Sequence, residues 1–259
     1  MRITNFHTHT SRCLHAKNTD EEYVLTAIEN GYSTLGFSDH TPWPFNNGFK
    51  SKVRMETSEL EDYVRSIREL QGKYKDQIEI LLGLECEYYP EYYEWLATQK
   101  EQFRFDYFIL GNHFLRSDEQ NCHFSFTTTS QQLSEYAEMI EKALSTGLFL
   151  CLAHPDVVLS SYPCFDKACY KLTESIIESC KRYNMIMEYN LQGVAYKSQK
   201  RYSGLNYPCK EFWKIVGDNH CSVIVGVDAH SASSLSRVEL IEESQEWLDL
   251  IGCKVVDTL

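Results

Sequence analysis

A parallel α/β barrel is predicted by three features of this 259-residue sequence. Strand-like and helix-like segments alternate about seven times. Most of the strand-like segments end on histidine or an acidic residue, which in a parallel barrel would meet at one rim. The length suits an α/β barrel, and a hydrophobic content of 43% is ample for a packed core.

Residues 2–9 read as the first strand, since Ile3 and Phe6 are apolar and no turn residue interrupts them. Strand residues two apart face the same way, so His7 and His9 project together from its C-terminal end. A loop over 11–18 carries His15 and Lys17. Thr19-x-x-Glu22 is a capping-box pattern, the helix runs to Asn30, and Gly31 supplies the left-handed stop. The second strand, 34–38, ends at Asp39-His40. Residues 41–57, with Pro42, Pro44 and Gly48, form a loop of a length usual for functional lids or mobile segments. Ser58-x-x-Glu61 opens a helix whose apolar stripe includes Tyr63, Ile67, Leu70 and Tyr74. Strand 78–84 leads to Glu85, and a helix follows to residue 103. Strand 105–110 leads to Gly111-Asn112-His113, and helix 131–145 stops before Gly147. Strand 148–152 leads to His154, helix 166–183 follows, and 185–189 is the sixth strand. Helix 207–219 has Pro208 near its start. Strand 222–227 leads to Asp228-Ala229-His230, and a last helix covers 234–250.

The net charge of -12 argues against a nucleic-acid footprint, while leaving room for a local basic pocket. The ten cysteines include no Cys-x-x-Cys pair, and no signal peptide is expected ahead of the first strand. Reduced thiols and a cytoplasmic location are therefore expected. The longest apolar runs are too short to span a bilayer, so no membrane partner is expected. With no repeat or linker, residues 1–259 read as a single domain. Nothing in the sequence specifies an oligomeric state.

The rim would collect His7, His9, His15, His40, Glu85, His113, His154, Asp228 and His230, including seven of the nine histidines. One zinc-like ion takes about four ligands, so nine groups suit two or three ions with a bridging carboxylate. Imidazole and carboxylate donors fit zinc, iron or manganese, and no cysteine joins the set. His220 falls at the opposite, stability rim. His123, in the stretch after the fourth strand, is either a solvated loop residue or a substrate contact. Lys17, Arg54, Arg116 and Arg201 lie in rim loops as candidates for gripping a phosphate; each is otherwise a surface charge.

The ordered motifs His7-x-His9, Asp39-His40, His113, His154 and Asp228-x-His230 resemble the polymerase-and-histidinol-phosphatase (PHP) family over essentially the whole chain. The resemblance implies a distorted (β/α)7 barrel with a trinuclear site. By position, it implies His7, His9, Glu85 and Asp228 around one ion, with Glu85 bridging to a second ion held by His113 and His154. His15, His40 and His230 correspond to the third ion's ligands. Within the family, the stretches His7 to Ala16, Arg54-Met55 and Gly83-Leu84-Glu85 through Glu87-Tyr88-x-Pro90 are similar to stand-alone histidinol phosphate phosphatases. The chain departs from that pattern at Gly111-Asn112-His113, where Ser-Val-His is expected.

The expected activity is metal-dependent hydrolysis of a small phosphate monoester, with L-histidinol phosphate in histidine biosynthesis as the substrate. Catalysis would involve Glu85 and Asp228, and substrate binding Arg54, Lys17, Arg116, Arg201 and His123. The competing readings are a nucleotide phosphatase or nuclease on the same scaffold, and a metal-binding regulatory protein without turnover.

Overall fold

The computed structural model describes residues 2–120, 123–124, 128–197 and 204–259. Its described residues contain eight parallel strands that pair in chain order. These are β1 (Thr4–Asn5), β2 (Thr34–His40), β3 (Glu79–Cys86), β4 (Tyr107–Leu110), β5 (Cys151–Leu152), β6 (Ile186–Asn190), β7 (Ser222–Gly226) and β8 (Lys254–Val255). The helices between them are α1 (Asp20–Glu29), α2 (Leu60–Tyr74), α3 (Tyr93–Phe103), α4 (Ser130–Leu144), α5 (Lys167–Tyr183), α6 (Leu191–Lys197), α7 (Lys210–Asp218) and α8 (Val238–Leu250).

The local signals act as elementary physics requires. Thr19 and Glu22 form the reciprocal capping box of α1, and Gly31 beyond the helix adopts φ 75°. Thr129 and Gln132 cap α4 in the same way. The start of α2 differs from the Ser58-x-x-Glu61 reading. A 3-10 turn, Thr57–Glu59, precedes it, and the Glu59 carboxylate accepts the Glu56 backbone N–H at 2.8 Å. The helical stripe of Tyr63, Ile67, Leu70 and Tyr74 is buried as its spacing predicts.

The first strand is shorter than residues 2–9 because the Asn5 side chain takes over backbone partners. Its Oδ1 accepts the Val227 N–H at 2.8 Å, and its Nδ2 donates to the His7 carbonyl at 3.0 Å. The ladder resumes at the rim, where Thr8 bridges Ala229. There His9 N–H donates to the Ala229 carbonyl at 2.9 Å, and Ala229 N–H to that of His7 at 3.0 Å. The segments that follow β1 and β7 thus join at the C-terminal rim. Toward the opposite end β8 continues the sheet beyond β7, and Thr4 Oγ1 donates to the Asp257 carbonyl at 3.0 Å. The expected seven strands are therefore joined by this short eighth, and α6 is a further addition.

Two hydrophobic clusters hold the frame. The larger one packs the helices against the strands, and the smaller one joins Phe6, Tyr107, Ile109, Cys151, Ala153 and Ile224. The smaller set draws on alternate strand residues, which point the same way, and it forms the floor beneath the rim. All nine described cysteines are free, and all but Cys164 are buried. Among the described residues, no helix is long and apolar enough to cross a membrane.

Candidate metal centre

The rim brings all nine predicted donor residues into one neighbourhood, with Glu85 at its middle. Register places His40 of β2 opposite Glu85 of β3. Glu85 Oε1 lies 2.8 Å from His154 Nε2 and 3.3 Å from His113 Nε2. Its Oε2 lies 2.9 Å from His40 Nδ1 and 3.6 Å from Nε2 of both His7 and His9. Asp228 Oδ1 lies 3.2 Å from His9 Nε2, 3.3 Å from His230 Nδ1 and 3.5 Å from His7 Nε2. The carboxylate of Glu85 thus separates two groups of imidazoles, one on each oxygen.

Side chains that the sequence reading left without a role fix these rings from behind. His7 Nδ1 meets Glu188 Oε1 at 2.8 Å, His113 Nδ1 meets Glu87 Oε1 at 3.2 Å, and His9 Nδ1 meets Asp39 Oδ1 at 3.4 Å. His15 Nδ1 donates to the Cys13 carbonyl at 2.7 Å. A ring that donates through Nδ1 presents Nε2 as an acceptor, the arrangement typical of a metal-ligating histidine. Facing Nε2 atoms then approach closely: His7 and His9 at 3.1 Å, His15 and His230 at 3.0 Å. Two acceptors at such distances repel unless a cation or a shared proton lies between them. His154 Nδ1 is also buried without a hydrogen-bond partner, and Glu85 Oε2 and Asp228 Oδ1 are buried with only imidazole nitrogens beside them. Close donors and orphaned polar atoms of this chemistry fit transition-metal ions.

The backbone adapts to the site. A methyl group on Gly111 would collide with Glu85 Oε1, and one on Gly226 with Glu188 Oε1, so each glycine leaves room for a buried carboxylate. His154 and Asp228 hold left-handed φ angles of 32° and 51°. For a residue with a Cβ this costs about 1–3 kcal/mol each. It is offset at His154 by the backbone N–H donating to Glu188 Oε2 at 3.2 Å. Asp228 is held by Asn190 Nδ2, which donates to its Oδ2 at 3.1 Å.

The chain's own charges sort the imidazoles into two sets. Burial works against a charged His7, but Glu188, Asp228 and Glu85 override it and hold its pKa well above the ordinary value. His113 is likewise raised to about 10, burial being outweighed by Glu85 and Glu87. His40 is lowered to about 3 by burial and by its cationic neighbours, despite Glu85. His15 is lowered to about 4 by desolvation of its ring and by His230 and His9. Glu85 and Asp228 stay well below the usual carboxylate range: burial opposes their charge, and the surrounding imidazoles outweigh it.

The other predicted residues fare differently. His123 lies in the wall of the cavity of about 210 Å³ that opens over the cluster, its ring stacked on that of His113. Lys17 is exposed in an adjoining hollow that it shares with His15, His230 and Arg237. Arg116 is exposed and does not line the cavity. Arg201 lies outside the described residues. Arg54 lines the same cavity but is buried, and its guanidinium is engaged by Glu87, Asp118 and the Thr41 carbonyl. The 41–56 loop is packed at its ends and exposed over much of its middle: Trp43 is 4% exposed, stands against Tyr89 and donates to Glu87 Oε2 at 2.9 Å. Cys13 also departs from expectation, since its thiol lies within 4.8 Å of donor atoms of His15 and His230. His220 sits away from the cluster, donating to the Gly252 carbonyl at 3.0 Å.

A His/Glu/Asp cluster capable of binding metal, set at the C-terminal rim of parallel strands, defines the class. Residues 5–192 match the PHP domain, and the chain belongs to that family. It is 29% identical over 160 residues to "Probable histidinol-phosphatase" of Deinococcus radiodurans, covering 60% of this chain and 61% of that one. It is 30% identical over 124 residues to "Histidinol-phosphatase" of Bacillus subtilis, covering 46% of each. The chain thus spans about three-fifths or less of the curated relatives it matches. Its fold is that of the Listeria monocytogenes hisK structure (TM-score 0.74, 20% identity, 91% of this chain and 98% of that one). It is also that of the Lactococcus lactis histidinol phosphate phosphatase complexed with zinc, L-histidinol and phosphate (TM-score 0.71, 17% identity, 98% and 95%).

Proposed function

We propose that this chain is a metal-dependent phosphomonoesterase that hydrolyses L-histidinol phosphate to L-histidinol and phosphate. The observation that carries the reading is Glu85, whose two oxygens face separate imidazole groups in a family that includes histidinol phosphatases by name. In this reading His7, His9, Glu85 and Asp228 hold one ion, Glu85 with His113 and His154 a second, and His15, His40 and His230 a third. When bound, such ions neutralise charge on the phosphoryl oxygens and make a water acidic enough to attack phosphorus near neutral pH.

The protein's own groups do the rest. Asp228 lines the cavity as a carboxylate, with imidazole nitrogens of His9 and His230 beside its Oδ1. In this reading Asp228 would accept the proton lost by the attacking water and return it to the departing alkoxide, so that protons balance over the cycle. Val53, Phe114, His123, Val157 and Tyr207 line other parts of the cavity and offer an apolar and aromatic wall to an imidazole-bearing leaving group. His123, pushed down to about 4 by burial and by His113, is neutral there at pH 7 and can share a hydrogen bond with that ring. Lys17 and Arg237 stand at the adjoining hollow as attractors for an anionic substrate.

The test is a screen with defined metal content, comparing histidinol phosphate with nucleotides and oligonucleotides. Preferential hydrolysis of histidinol phosphate is expected. A preference for nucleotides or oligonucleotides would replace the substrate assignment. Absence of turnover on every ester by metal-loaded protein would replace the enzyme reading with a regulatory one.

A further inference from the structure

Arg54 lies in the 41–56 loop and bonds both within that loop and outward to Glu87, beside the site. Nη2 donates to Glu87 Oε1 at 2.9 Å and Nη1 to Glu87 Oε2 at 3.1 Å, a two-pronged contact with one carboxylate. Nη1 also donates to the Thr41 carbonyl at 2.8 Å, and Nε donates to Asp118 Oδ2 at 2.9 Å. Four of the five N–H groups that a guanidinium owns are therefore directed at protein acceptors. The side chains of Arg54 and Glu87 are each 1% exposed, so neither charge is tolerable in that place without the other. Glu87 Oε1 is also the atom that meets His113 Nδ1 at 3.2 Å. Ser51, from the same loop, donates to Asp118 Oδ2 at 2.7 Å and ties the assembly to the segment after His113.

We propose that Arg54 is a positioning residue: through Glu87 it sets the ring of His113, and it thereby couples the order of the 41–56 loop to ion binding at His113. A carboxylate behind a ligating imidazole fixes the tautomer and the ring plane. Here that carboxylate is itself fixed by a guanidinium anchored to Thr41 and Asp118. Coupling of this kind is reciprocal, so ion binding also steadies the loop. The inference rests on the reading that His113 holds an ion.

The experiment uses the full chain, zinc as the probe, and the variants Arg54→Lys and Glu87→Gln. Lysine keeps the charge but cannot fork onto both Glu87 oxygens, and glutamine keeps the shape but not the charge. Zinc affinity is measured by chelator competition, and protection of residues 41–56 by hydrogen exchange with and without zinc. In both variants affinity at one site should weaken about 10- to 100-fold. The loop protection that zinc confers on the wild type should shrink, and excess zinc should restore turnover with KM unchanged. Unchanged zinc affinity together with a raised KM and weaker binding of inorganic phosphate would overturn the proposal and make Arg54 a phosphate grip. If Arg54→Lys does not fold, Glu87→Gln carries the same measurements. Wild-type protein that binds no zinc would contradict the metal reading itself, an outcome distinct from unchanged affinity in the variants.

Discussion

The inner and outer parts of the histidine cluster are built differently. Inside, His7, His9 and His113 each rest on a carboxylate, Glu188, Asp39 and Glu87, and all face the buried Glu85. Outside, His15 rests on a carbonyl and His230 on a carbonyl and an amide, and His15 is exposed. A carboxylate raises the basicity of the ring it holds, and burial removes competing water. The inner donors are therefore expected to hold ions tightly, and the outer pair to hold one that exchanges more readily beside the substrate's entrance.

The largest effect should come from Glu85, which both inner groups share. Glu85→Gln replaces an anionic carboxylate with a neutral amide, so under the proposed bridging role kcat should fall about 100-fold or more with a smaller change in KM. A folded Glu85→Gln protein with wild-type ion content and kcat would break the bridging assignment. One step back, Glu188→Ala removes the partner of His7 and of the strained His154 backbone. Its ion affinity should fall about 10- to 100-fold, read by chelator competition. A loss no larger than that of His15→Ala would erase the distinction between inner and outer donors. His15→Ala itself should lower the occupancy of one ion only, seen by elemental analysis, and added metal should not restore it fully. His220→Asn should leave turnover nearly intact, because its ring only meets the Gly252 carbonyl far from the cluster.

A smaller and slower effect concerns pH. The imidazolium of His113, with its pKa raised from 6.5 to about 10, stabilises the fold fully below the lower value. That contribution is lost as pH rises toward the upper one. Chelator-treated protein should therefore melt several degrees lower as pH is raised from 6.5 toward 10. Metal-loaded protein should change less over the same window, because ligation would hold the rings neutral. Equal slopes for the two would show that His113 does not bind an ion.

The donors were legible in the sequence because strand alternation is a local rule: His7 with His9 and Asp228 with His230 announce a shared face by spacing alone. Their supports were not. Glu188 is a single acid within an apolar sixth strand, and its partner His7 lies 181 residues away. Arg54 reads as a rim cation until its burial against Glu87 is seen. Left-handed φ at His154 and Asp228 has no signature where glycine would be the usual choice. The eighth strand is two residues long, below what periodicity can detect, whereas the capping box of α1 carries its whole geometry within four residues. The 41–56 loop was legible as irregular, but the burial of its Trp43 depends on Tyr89 and Glu87 far along the chain.

The central claim is that Glu85 joins ions within one cluster, and counting those ions tests it most directly. Active, unstripped protein should contain more than one transition-metal ion per chain by elemental analysis, with three expected when His15, His40 and His230 are filled. Full activity in protein that carries at most one ion per chain would contradict the account.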